Sequence, residues 1–229
     1  MRLPTPPLAE AAPVPPPKKP EPNYKIPKFD LRVEDLAHPG AVVFFALIHP
    51  TEALTDAVLA SYQWLYTLDT VPTNVEKITL ILREMDGVAY TTGSHTEKEI
   101  HFSLDHILNS IDRAQDEING VLVHEVVHCY QHNAKGTAPG GLIEGVADYV
   151  RLHAKLGPPH WRPRGGDRWD AGYDLTAYFL DWIDQQHGEN SIRTLNASMK
   201  DHEWDEKLVK DVTGQTVKQL WKLYSESLN

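Results

Sequence analysis

The chain has 229 residues, 41% of them hydrophobic, and a formal charge of −10, which is enough apolar material for one folded domain with its own core. The acidic balance argues against a nucleic-acid partner, which calls for a basic patch, and against an anionic membrane surface. The single cysteine, Cys129, excludes an internal disulfide, and no run approaches the ~18 consecutive apolar residues of a membrane span.

Residues 1–27 are proline-rich, with PVPPPKKP from Pro13 to Pro20. They read as a solvated, extended tail ahead of a domain over residues 28–229. A ligand for a proline-recognising module is the alternative. This stretch lacks the apolar core of about 7–15 residues that a secretory signal carries. A cytoplasmic protein is therefore expected if Met1 is the natural start, and a monomer is the expected state.

Residues 29–33 alternate and predict a first strand. The apolar run AVVFFAL at 41–47 is short enough for a buried strand. Thr51 then caps a helix running to about Leu68. Strands follow at 77–82 and 88–92, with Met85-Asp86-Gly87 as the turn between them, and at 99–104. From about Asp112 the period turns helical. One helix runs to about Asn133, a second from Leu142 to about Lys155, and a third over 173–187 that stops at Gly188. Shorter helices are expected at 191–199, 205–212 and 216–227. Strands first and helices last predict an α+β domain: a small N-terminal mixed sheet and a mostly helical C-terminal half.

The chemistry concentrates in residues 121–150, VLVHEVVHCYQHNAKGTAPGGLIEGVADYV. His124 and His128 lie four apart on an apolar helix, so both imidazoles share one face and can reach one metal ion. Glu125, next to His124, is placed to take a proton from water at that metal. Glu144 and Asp148 share a face of the next helix, and the Gly136–Gly141 segment is a tight reversal that folds this helix back. A hydrolytic zinc site needs three protein ligands and an open position, and its histidines need acceptors for their other ring N–H. Glu144 is the candidate third ligand and Asp148 the candidate acceptor. Asp148 and His132 are the rival third ligands. Two imidazoles and a carboxylate fit Zn2+ best. Cys129 points to another face and reads as a small buried residue rather than a reactive thiol.

APGGLIEGVADYVRL, with HEVVH just before it, closely resembles the plant basic secretory protein family, a group assigned as zinc peptidases and linked to defence. MDGVAY at Met85, EIHFS at Glu99, AGYDLTAYFLDWI at Ala171 and TVKQLW at Thr216 look like further family blocks. The resemblance runs from about Val42 to the C-terminus, although the family's basic charge is absent here. The E-x-x-x-D pattern is similar to that of gluzincin metallopeptidases, with a short spacing between His128 and Glu144. The resemblance implies a zincin-like fold and a peptide or protein substrate.

A peptidase of this kind would hold its substrate on an edge strand beside the metal helix. Glu99, Ile100 and His101 are the candidates for that strand. An oxyanion donor is also required. Tyr149, Tyr173, His153 and His160 are candidates, with Tyr173 favoured because it begins a helix inside a family block. Trp161, Trp169 and Trp182 could wall a subsite, though packing roles are favoured. Arg162, Arg164 and Arg168 could bind a carboxylate, though a solvated loop is favoured. The enzyme reading stands against a second one, a defence or interaction protein that keeps zinc with little turnover.

Overall fold

A computed structural model describes residues 24–228. Most of the proline-rich segment read above lies outside these residues. Among the described residues, β1 (Lys28–Val33), β2 (Lys77–Arg83), β3 (Ala89–Gly93) and β4 (Glu97–Ser103) form one mixed sheet in the order β1-β2-β4-β3. β1, β2 and β4 run parallel, and β3 runs antiparallel to β4. The parallel β1–β2 link is carried by two helices, α1 (Pro39–Leu47) and α2 (Pro50–Leu65), because parallel neighbours need a long crossover. The fold is α+β, with the sheet in the N-terminal half and helices filling the C-terminal half.

One sequence expectation is overturned here. The run at 41–47 is not a strand but lies within α1. Periodicity cannot separate a short buried strand from a buried helix, and the residues before the run decide it. Pro39 occupies the first turn, where its fixed φ suits a helix. His38 Nδ1 accepts the Gly40 N–H at 3.0 Å and so caps the start. Helix α2 begins at Pro50 with His49, not Thr51, as the flanking residue, and ends at Leu65.

The strand expected at 99–104 ends one residue early. Ser103 Oγ accepts the His106 N–H at 3.3 Å and opens a short helix, α3 (Leu104–Asn109). A 3-10 turn then leads into α4 (Ala114–Tyr130). The remaining helices are α5 (Gly140–His153), α6 (Tyr173–His187), α7 (Ser191–Ser198), α8 (Lys207–Thr213) and α9 (Val217–Ser227). Their positions match the sequence expectations to within about two residues at most ends, the scatter normal for helix boundaries.

Helix α4 is the centre of the packing. Its residues are buried almost all round, and it lies against α2, α5 and β3. Such a helix reads as a core element rather than a surface one. Gly120, in its middle, has a packing reason. A Cβ there would lie 2.6 Å from Arg151 Nε, so only glycine lets Arg151 cross from α5 and reach Glu117 Oε2 at 2.9 Å.

Candidate metal centre

Helices α4 and α5 bring the two halves of the motif together. His124 Nε2 lies 3.1 Å from His128 Nε2 and 3.1 Å from Glu144 Oε2, and His128 Nε2 lies 3.7 Å from the same oxygen. The three ligand atoms lie within 4.8 Å of one another, a cluster that could hold a metal ion. Asp148 does not join them. It sits behind His124, whose Nδ1–H donates to Asp148 Oδ1 at 2.7 Å. That bond fixes the ring and leaves Nε2 to face the cluster. His132 is not brought in either. It lies beyond the end of α4, edge-on to Tyr66 at a centroid distance of 5.8 Å, with its backbone N–H on Asn196 Oδ1.

The charges agree with this geometry. Burial pushes His124 toward the neutral form, but Asp148 and Glu144 outweigh it and raise its pKa to about 9. Burial pushes Glu144 up, yet its two histidine partners hold the carboxyl well below its ordinary range. A site that stabilises a cationic imidazole between two carboxylates is built for positive charge, and a divalent cation would replace the proton shared by His124 and Glu144. Gln131 Nε2 lies 3.2 Å from His128 Nδ1 and donates to the Ile143 carbonyl, while its buried Oε1 has no partner.

Glu125 is buried beside the cluster, and its carboxylate is held from the sheet. Thr91 Oγ1 donates to Glu125 Oε2 at 2.7 Å and also lies 2.9 Å from the Glu125 carbonyl. Sequence reasoning missed Thr91. The alternation in VAYTT gives it a face, but nothing local says that α4 covers that face.

The proposed substrate strand needs correction. β4 pairs with β2 on one side and β3 on the other, so it has no free edge, and β3 is the edge strand on the metal side. Directly opposed residues share a face. Thr91 faces α4, so its partner Ile100 does too, and Ile100 is fully buried in the core. Tyr90 and its partner His101 face the other way and stack at 4.5 Å, and Glu99 pairs with His101 on that far face. Glu99, Ile100 and His101 thus lack access to the cluster.

A cleft of about 800 Å³ opens over the cluster, lined by His124, Glu125, His128, Glu144 and residues 87–91, which lead into and begin β3. Tyr173 is on its wall, 57% exposed, its ring nearly parallel to His124 at 6.2 Å. Gly141 places it there. A Cβ on Gly141 would lie 1.9 Å from the Asp170 carbonyl oxygen, so only glycine lets the segment before α6 close over α5. Tyr173 itself has φ 50, a left-handed conformation uncommon for a bulky side chain and typical of sites held by their surroundings.

His160 also lines the cleft. Tyr149 does not. It is buried and donates to Asp184 between α5 and α6. His153 lies against Trp64 and Asp181. Of the tryptophans, Trp161 lines the cleft, with the Arg151 guanidinium 5.1 Å from its ring centroid. Trp169 packs on Phe179 and Trp204, and Trp182 packs on Phe179 and Tyr224. Arg164 pairs with Asp174 in the first turn of α6 and Arg168 with Asp170 in its own loop, so both charges are matched by nearby carboxylates. Cys129 is buried, and burial pushes its thiol up, which makes it unreactive.

The BSP family model, described as a peptidase of plants and bacteria, matches residues 26–224. The chain belongs to this family. No curated protein and no solved structure matches it significantly.

Proposed function

We propose that the chain is a zinc-dependent peptidase in which His124, His128 and Glu144 hold the ion and Glu125 is the general base. The family assignment supports a peptidase, and the donor set of two imidazoles and one carboxylate supports zinc with an open position. When bound, zinc supplies Lewis acidity and lowers the pKa of coordinated water toward ~7. Glu125 takes a proton as the water oxygen bonds to the carbonyl carbon. It then delivers that proton to the leaving nitrogen as the C–N bond breaks. Tyr173 donates a hydrogen bond to the oxygen that gains charge. Asp148 keeps the His124 ring in register throughout. The free edge of β3 takes the substrate backbone through main-chain hydrogen bonds, as sheet edges do for extended peptides.

The observation that carries this reading is the placement of the Glu125 carboxylate. It is buried, anchored by Thr91 and set in the same cleft as the three-residue cluster. A structural metal site has no use for such a group. Metal analysis and a peptide-library digest of wild type and Glu125→Gln test it. The wild type is expected to carry zinc and cut peptides. The variant should keep zinc and lose about 10²–10⁴-fold in rate. Hydrolysis undiminished in the variant would remove Glu125 from the mechanism. A zinc-loaded wild type inert on every peptide would favour an interaction protein.

A further inference from the structure

A second cavity, of about 810 Å³, lies on the other side of His128 from the cleft described above, and both are lined by that residue. Its character is different. The first cleft carries Glu117, Glu125, Glu144 and Asp148 against Arg151. The second carries Lys98, Lys135 and Lys200 against Asp69 and Asp201. In a chain of net charge −10, this is a local excess of positive charge beside the reaction centre. His132 adds little to it, since burial and Lys200 push it toward neutrality.

Lys98 is the notable member. It sits on β4 two residues before Ile100, so it shares the face turned to α4. It is half-buried, and no carboxylate pairs with it among the described residues. Its ammonium is left without an acidic partner, and a ligand carboxylate would supply one through a charge-assisted hydrogen bond.

The sheet edge sets which part of a peptide would meet this cavity. β3 runs from Ala89 toward Gly93, with residues 87–91 lining the first cleft and His95, just past its end, lining the second. A peptide on this edge pairs more strongly antiparallel than parallel. Its amino-terminal part then lies toward the second cavity and its carboxyl-terminal part in the first.

We propose that the second cavity receives an acidic side chain from the amino-terminal side of the scissile bond, and that Lys98 reads its carboxylate. The proposal rests on the peptidase reading above and adds the substrate class. Peptides that differ only in Glu, Gln or Lys at each of the positions before the cleaved bond test it. Two readouts are needed: kcat/KM on wild type, and anisotropy of labelled peptides binding to the full-length Glu125→Gln protein.

Glu peptides are expected to exceed their Gln counterparts by about tenfold in both, the size of one charge-assisted hydrogen bond. Lys98→Met should level the two, and Lys98→Glu should favour the Lys peptide, with zinc content unchanged in both variants. A merely structural lysine would not reverse the preference on charge reversal. Cleavage that ignores charge, a preference confined to the carboxyl side, or one that survives in Lys98→Met overturns this inference and leaves the peptidase reading standing. Failure of every peptide to bind or be cut removes both.

Discussion

Asp148 Oδ1 lies 2.7 Å from His124 Nδ1, on the opposite edge of the ring from the nitrogen that meets Glu144. The carboxylate is almost wholly buried, at 2% exposure. It orients the imidazole and raises its basicity, two effects that set metal affinity. Asp148→Asn keeps the shape and removes the charge. Zinc affinity should fall about 10–100-fold, read by competition with a chromophoric chelator. An unchanged dissociation constant would strip Asp148 of this role.

Thr91 gives the second prediction. Its hydroxyl donates to Glu125 Oε2 from the edge strand, and Val has nearly its shape without the donor. Thr91→Val should leave zinc content intact and lower kcat about tenfold, the size of a hydrogen bond to a charged group. Thr91→Ser should restore most of the loss. A valine variant as fast as wild type would show that Glu125 needs no anchor from β3.

Tyr173 is the third. Its phenol lines the cleft near His124, and Glu144 together with burial pushes its pKa up, so it keeps its proton at neutral pH. A phenol that stays protonated can donate to a developing oxyanion. Tyr173→Phe should cut kcat about 10²–10³-fold with KM little changed, because the bond forms only as charge develops. An equal loss in His160→Asn and none in Tyr173→Phe would move the donor role to His160, which lines the same cleft.

What the sequence disclosed follows from the range of each interaction. His124/His128 and Glu144/Asp148 are each four apart, so a helix alone puts each pair on one face. Both helices formed where their apolar period placed them. Convergence of the two pairs needed only the short reversal between them. The run at 41–47 was ambiguous because nine residues of continuous apolar helix carry no contrast between faces. The capping His38 and Pro39 held the answer. The edge strand was misassigned because strand order is a long-range property. β4 comes last in sequence yet lies between β2 and β3 in space. Thr91 and Gln131 escaped notice for the same reason, since their partners are set by how β3 and α5 pack on α4. Lys98 lies just outside the strand expected at 99–104, and its face is set only by how β4, which begins at Glu97, packs against α4.

The fourth prediction concerns stability. Glu117 lies in a buried network with His106, Arg113 and Arg151. Burial pushes its carboxyl up, but His106, Arg151 and Arg113 together outweigh burial and bring it down from 4.5 to about 2. A carboxyl depressed in the folded state contributes stability that is fully present above its unfolded value. The contribution is lost as pH falls through the folded value. The window is therefore pH 4.5 down to about 2, and the shift corresponds to about 3 kcal/mol at most. Glu117→Gln removes the titrating group and leaves Arg151 short of a partner. Urea unfolding of the chelator-treated proteins should show the variant less stable by about 3 kcal/mol at pH 7. The gap should narrow as the pH is taken toward 2.5, where the wild-type carboxyl begins to gain its proton. A gap that stays constant across that range would mean that Glu117 acts through packing alone, and no gap at pH 7 would mean that the network adds nothing to the fold.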